Sequence, residues 1–414
     1  MRIKIGLPPD GSFLSTVMYE GLAKLVASSS SANIRNGVLE LDDDAFVKAF
    51  LDVKEKLPKE VDINGRKVRI GKGLELPTTG KNDKSGVEGI FKGIGMEPPA
   101  DPNKKLRYEE FLKALAKAAE DNPSTLIPKN DVSLMLSVVK GSLTVGNPSK
   151  KPLKFSLFKS IDRYTAYLVS ELRGAGPNVG FQMSFWTSLI ALLGLYEGYV
   201  GRVGDAYVFL FIEPHKITEA LYAYIKGLSP KEVVKRYLTA RDVGIDRIGE
   251  VLPLAFIRHA LLARAILDVD LMNALRRTNL DRLDLKVVRL HVEGNTYKVY
   301  AEIPLTITAY RNGKFSELLP KLSKHVTADS PIIKCIVKLV QKGTGLKGVK
   351  PCDENDEILK AIDNLYRFAA LNDAEALYNY VKSLEEAAKI LEAQGDPQEM
   401  KKVKIYRALA GSLI

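Results

Sequence analysis

The chain has 414 residues, 61 Lys and Arg against 50 Asp and Glu for a net charge of +11, with 46% hydrophobic and 27% charged residues. That length exceeds one usual core and that balance is a globular protein's, which excludes a disordered tail and predicts two domains with a small third. Its two cysteines, Cys335 and Cys352, build neither a disulfide framework nor a Cys-rich zinc site, and the longest apolar run, Leu189 to Leu195, is too short to span a bilayer.

Charge and apolar residues alternate from Arg2 to Leu7, which predicts a strand and lacks the apolar core of a signal peptide; the expected home is a reducing cytoplasm. After a Pro-Pro-Asp-Gly turn, an amphipathic helix is predicted from Ser12 to Val26, then a flexible Ser28–Ser31 run and a strand from Val38 to Leu41. Asp42, Asp43 and Asp44 read as anions at a helix N-terminus rather than as metal ligands. Asn64-Gly65, flanked by alternating residues from Val61 to Val68, specifies a type I′ hairpin. Residues Gly71 to Lys105, rich in Gly, Pro, Lys and Asp, read as a long basic surface loop.

Helices are predicted from Tyr108 to Ala119 and from Val132 to Val139, followed by a boundary at Gly146 to Pro152. The spacing of Leu157, Ile161, Tyr164 and Leu168 predicts a helix over Phe155–Arg173, with Lys159 and Arg163 together on another face. Phe181 to Tyr196, with the single tryptophan Trp186, reads as a fully buried helix feeding a hairpin from Tyr199 to Ile212. Ser229-Pro230-Lys231-Glu232 matches a capping box that starts a helix running to Arg241. Helical stretches at Ile248–Leu267 and Asp270–Arg277 precede a strand pair, Leu285–Val292 and Tyr297–Ile303, turning at Glu293-Gly294-Asn295. Helix is predicted again after Lys314, and the tail carries three helices, Glu357–Ala370, Ala374–Ala393 and Pro397–Leu413, separated by short loops.

These elements give an α+β chain: a mixed α/β domain over 1–146 with a long basic loop, a mixed α/β domain over 147–350 with the buried helix and hairpins, and a three-helix bundle over 351–414. No catalytic signature emerges. Gly80-Lys81 fails as a phosphate loop, because Glu75 replaces the first glycine and Asn82 the Ser/Thr; Gly174-Ala175-Gly176 runs into Pro177 and fails as a dinucleotide turn. His291-x-Glu293 with Pro351-Cys352 is half of a zinc deaminase signature, but Asn355 stands where its second cysteine belongs. The other histidines, His215, His259 and His325, are isolated. Asp268-x-Asp270, the one tight carboxylate pair, reads as capping between two helices, with a metal-dependent nuclease as the alternative. Neither a catalytic residue, a metal nor a cofactor is assigned.

Positive charge is the remaining signal. Asn147, Lys150, Lys151 and Lys154 lie on a loop feeding the helix with Lys159 and Arg163. Arg276, Arg277, Arg282, Lys286 and Arg289 form a second cluster, Lys342, Lys347 and Lys350 a third, and Lys401, Lys404 and Arg407 a flank of the last helix. Ammonium and guanidinium groups so grouped suit phosphates, whose neutralisation releases counterions. Asn147, Lys150 and Lys151 have the donors for base edges as well. The competing explanation for the charge is the ion-rich surface of a heat-adapted protein, which the scarcity of glutamine and cysteine also fits.

In arrangement the chain resembles the large subunit of archaeal type I-A CRISPR interference (Cascade) complexes. The resemblance rests on a mixed N-terminal part with long basic insertions, then the apolar stretch Phe181–Tyr196 with the hairpin Tyr199–Ile212, then the helices after Pro351, and it covers most of the chain. It implies a non-enzymatic, cytoplasmic antiviral subunit that sits at the crRNA 5′ end and reads the protospacer-adjacent motif (PAM) of target duplex DNA. Such a subunit helps open the target and recruits the helicase-nuclease, with other Cascade subunits as partners. No PAM-reading residue is carried over by a motif. A protein-binding adaptor with a helical tail is the other reading.

Overall fold

A computed structural model describes residues 2–9, 12–63, 66–78, 80–98, 106–139, 142–147, 152–158, 180–203, 205–222, 228–249, 275, 277–280, 282–294, 296–308, 330–332, 334–335, 338, 350, 352–371, 373–397 and 399–411. The chain is α+β. It divides into two compact units, one of Met1–Leu238 with Val288–Glu302 and one of Thr239–Val287 with Ile303–Ile414. The boundary expected at 147 falls inside the first unit, and the C-terminal helices lie in the second.

The first unit opens with β1 (Arg2–Gly6), where Ile3 and Ile5 are buried and the intervening residues are not, the alternation of a half-buried strand. It pairs antiparallel with β3 (Val38–Asp42), which also pairs with β2 (Ala32–Arg35). The turn between β2 and β3 places Asn36 and Gly37 at φ of 50° and 75°, the left-handed pair that a tight hairpin turn demands. The Ser28–Ser31 run is therefore not a flexible closure: α1 (Phe13–Ser28) reaches Ser28 and β2 starts at Ala32. α1 is capped by Ser12, whose side chain accepts from the Ser15 N–H.

α2 (Ala45–Lys56) leads into the hairpin of β4 (Lys59–Ile63) and β5 (Arg66–Ile70), with Ile63 opposite Arg66, as Asn64-Gly65 requires. The expected loop after Gly71 instead contains α3 (Gly80–Gly93). Backbone bonds from Thr78 N–H to Leu106 O (2.7 Å) and from Tyr108 N–H to Leu76 O (2.8 Å) bring the two ends of that stretch together before α4 (Tyr108–Asp121). Around α4 an aromatic cluster of Tyr108, Phe111, Phe155 and Phe158 packs edge to face or tilted, with ring centroids 5.6 to 6.1 Å apart.

Val132 to Val139 is not a helix. It forms β6 (Val132–Ser133), parallel to β1, and β7 (Leu136–Val139), antiparallel to β8 (Ser142–Val145). β9 (Gly180–Met183) then pairs parallel to β8, so Phe181 belongs to a strand opposite Leu143. The buried helix is shorter than expected, α5 (Phe185–Gly198), capped by Ser184. It is followed by β10 (Tyr199–Val203) and β11 (Ala206–Ile212), all seven residues of which are buried. A four-stranded sheet runs in the order β10-β11-β12-β13, with β12 spanning Arg282–Glu293 and β13 Thr296–Thr308. Gly294 at φ 60° supplies its turn.

α1 crosses α5 at backbone contact: a Cβ on Gly194 would lie 1.8 Å from Val17 O, and one on Gly21 2.0 Å from Ile190 O. α6 (Pro214–Tyr222) and α7 (Pro230–Gly249) follow in chain order. In the second unit α8 (Asn355–Leu371) and α10 (Glu399–Gly411) both pack on α9 (Ala374–Gln394). α9 starts at Asp373, which caps Glu375 and Ala376, and ends at Gly395 in the left-handed region. No helix among the described residues is long and apolar enough to cross a membrane. Of the helices expected over Phe155–Arg173, Ile248–Leu267 and after Lys314, residues 159–173, 250–267 and 315–329 lie outside the described residues; Ile248 and Gly249 belong to α7, and 331–332 and 334–335 are helical.

Candidate nucleic-acid interface

In the first unit lysines from two distant segments meet. The capping box forms as expected: Ser229 N–H donates to Glu232 Oε2 (2.7 Å) and Glu232 N–H to Ser229 Oγ (3.3 Å). The first turn of α7 then carries Lys231, and the next turn Lys235. The Lys231 ammonium is held below the usual lysine value, first by burial and then by the like charges of Lys235 and Lys48, with Asp42 acting against them. Lys48 projects from α2, where it pairs with Asp44 (2.7 Å) and donates to Ser30 Oγ (2.8 Å). A cation in the first turn of a helix also opposes the helix dipole. Three ammonium groups thus gather where the backbone adds a partial positive charge.

Asp42 is the anion that acts against the like charges around Lys231. Its carboxylate accepts from Ser31 N–H (2.9 Å), Ser31 Oγ–H (2.9 Å) and Ser29 Oγ–H (3.3 Å). Burial alone would raise its pKa, but these hydrogen bonds win and hold it below the usual carboxylate range. The anionic oxygens are committed to the serine turn after α1. With Lys48 also paired to Asp44, two carboxylates stand against three lysines, and the positive charge left over suits a phosphate group.

The residues singled out in the sequence are distributed as follows. Lys150, Lys151, Lys159, Arg163, Arg276, Lys342 and Lys347 lie outside the described residues. The Asn147 amide is engaged with its own protein: Oδ1 accepts from Ser133 N–H (3.0 Å) and Nδ2 donates to Asp131 O (2.7 Å). It fastens the end of β8 to the β6 segment, although its other side is exposed. Lys154 is half-buried, one residue after Leu153, which bridges to Met183. Arg277 and Lys350 are exposed.

On β12, strand alternation gives Arg282 and Lys286 one parity and Arg289 the other. Arg282 Nε donates to the buried Asp284 (2.6 Å). Arg289 Nε donates to His291 Nε2 (2.7 Å), and the His291 ring lies 4.5 Å from that of Tyr300, an exposed aromatic on β13. Burial, reinforced by Arg289, pushes the His291 imidazole below its usual value, so it serves as a neutral acceptor. Arg289, His291 and Tyr300 together offer a cation beside an exposed ring, a combination suited to an unstacked base.

In the second unit Lys401 and Lys404 are exposed on α10, whereas Arg407 is paired across to α9, with Glu392 at 2.7 Å and Glu385 at 3.7 Å. The flank read from the sequence therefore divides into two outward lysines and one bundle-closing arginine. The gathering of Lys48 with Lys231 and Lys235 escaped sequence reasoning, because roughly 180 positions separate the two segments and no local pattern joins them. Lys231 in a capping box, at the adverse end of a helix, was the one signal available.

No protein-family model and no solved structure matches the chain. The chain is similar to an uncharacterized protein of Archaeoglobus fulgidus, 28% identical over 412 residues, which covers 98% of this chain and 97% of that protein.

Proposed function

We propose that this chain is a non-catalytic nucleic-acid-binding subunit, of the kind that serves as large subunit in type I-A CRISPR interference complexes. In that role it contacts PAM duplex DNA and the crRNA 5′ end in the cytoplasm, joins other Cascade subunits and supports recruitment of the helicase-nuclease. The observation that carries the reading is the meeting of Lys48, Lys231 and Lys235 near the first turn of α7, three cations against the carboxylates of Asp42 and Asp44. Arg289 with Tyr300 adds a surface for a splayed base. Kinship with an archaeal protein over nearly the full length of both chains supports a role for the whole architecture rather than for one module.

The test is the affinity of the purified protein for a PAM-containing duplex and for crRNA, with and without partner subunits, across a salt series. The expected result is a steep fall with salt. Lys48→Ala with Lys231→Ala and Lys235→Ala should flatten the slope of log K against log salt by about 2.7, at about 0.9 per phosphate contact. Absence of any salt-dependent affinity for duplex or crRNA sinks the proposal, and an unchanged slope removes these lysines from the contact surface.

A further inference from the structure

The cysteines are 17 positions apart in the sequence and form no motif there, yet the second unit brings them together. The sulfurs of Cys335 and Cys352 and a carboxylate oxygen of Glu354 all lie within 4.8 Å of one another. Cys335 and Glu354 are each only 1% exposed, and Cys352 is half-buried. Asn355, at the start of α8, accepts from the Cys335 thiol at 2.8 Å. Tyr406 of α10, fully buried, donates to Glu354 Oε1 at 3.2 Å.

Burying three groups that can each become anionic is costly unless a cation joins them. Lys338 and Lys402 act on Cys352 from nearby, but the Lys402 ammonium is 3.8 Å from Glu354 and lies closer to Glu399, with which it forms an ion pair. Lys402 is thus shared, and Glu399 takes most of it. Two sulfurs and one carboxylate oxygen are the donors of a borderline-soft divalent ion, and thiolates disfavour calcium and magnesium. Tetrahedral zinc, with bonds of about 2.3 Å to sulfur and about 2.1 Å to oxygen, spaces its donors roughly 3.5 Å apart. Donors within 4.8 Å of one another need approach by no more than about 1.3 Å to reach that spacing.

We propose that Cys335, Cys352 and Glu354 form a structural zinc site that ties the segment around Cys335 to the start of α8. Asn355 Oδ1 is the protein atom at hand for the fourth position. Tyr406 then orients the Glu354 carboxylate from outside, as partners of metal ligands commonly do. The site closes the base of the C-terminal helices and is independent of the nucleic-acid reading above.

The experiment uses the full-length protein purified without added metal. Elemental analysis should find about one zinc per chain. Exchange into Co²⁺ should produce the near-ultraviolet thiolate-to-cobalt charge-transfer band of a sulfur-ligated site. Cys352→Ser should abolish the band, and Glu354→Gln should weaken Co²⁺ binding at least tenfold. Protein that neither copurifies with zinc nor takes up Zn²⁺ or Co²⁺ overturns the proposal. So does an intact mass two hydrogens below the reduced chain, which would make the pair a disulfide. If the variants fail to fold, the wild-type zinc content and intact mass decide by themselves.

Discussion

Replacing Gly194 by alanine probes the close crossing of α1 and α5. The added methyl would lie 1.8 Å from Val17 O and 2.8 Å from Gly21 N, both backbone atoms of α1 that no rotamer change can remove. An ordinary carbon-to-oxygen contact is about 3.3 Å, so α1 and α5 must part by roughly 1.5 Å. A gap of even 0.5–1 Å forfeits about a quarter to a half of the dispersion well along a packed seam, and overpacked cores lose about 1–3 kcal/mol, occasionally more. Against this, alanine gains about 1 kcal/mol over glycine in helix propensity. The expected net is a destabilisation of about 2 kcal/mol, since the clash is with backbone. The assay is urea unfolding followed by fluorescence of Trp186, the single tryptophan, which lies on α5 itself with its ring 5.2 Å from Phe46. An unchanged or raised midpoint would mean that the propensity gain is all that the substitution does, and that the two helices do not meet at these glycines.

Lys24 of α1 bonds Glu197 at 3.0 Å and also contacts Asp52, with the Lys24 and Glu197 side chains 7% and 4% exposed. Lys24→Met removes the cation that Glu197 and Asp52 share and should cost about 3 kcal/mol in the same urea assay. Burial by itself would lower the Lys24 pKa, but Glu197 and Asp52 outweigh it and raise it above the ordinary lysine value. Because the folded value is the higher, this stabilisation is complete at neutral pH. It should hold to about pH 10 and decay only as pH climbs through the folded value; a gap between wild type and Lys24→Met that closes near neutrality would contradict the pairing. Asn147→Ala removes two hydrogen bonds to the β6 segment and should cost about 1–2 kcal/mol while leaving duplex affinity and sequence preference intact. A loss of preference for the PAM-containing duplex with unchanged stability would return Asn147 to the role of a base-reading donor.

What was legible in the sequence was what local chemistry fixes. Asn64-Gly65 can make one kind of tight turn, Ser229 and Glu232 can satisfy each other only at a helix start, and the apolar spacing of the last 60 or so residues suits helices and little else. The errors fall where tertiary packing overrode local preference. Glycines at 86, 89 and 93 look like loop signals, but in α3 they are one stripe, and a methyl there would strike Phe155, Leu153 and Phe185. The stretch Val132–Val139 has enough apolar residues for either period; pairing of Leu136 with Val145 and Val138 with Leu143 made it a strand. Of the candidate interface, single basic residues were legible, but their meeting was not, since Lys48 and Lys231 become neighbours only once α2 and α7 are placed.

The two backbone bonds that join Thr78 to Leu106 and Tyr108 to Leu76 act as a clasp on the intervening chain. Because that clasp fixes the two ends, lengthening the chain between them costs little, about 0.6 kcal/mol for each doubling. This is where relatives can differ in size without disturbing the aromatic cluster beneath, and where a fluorophore or epitope can be spliced in while the helices on either side keep their register.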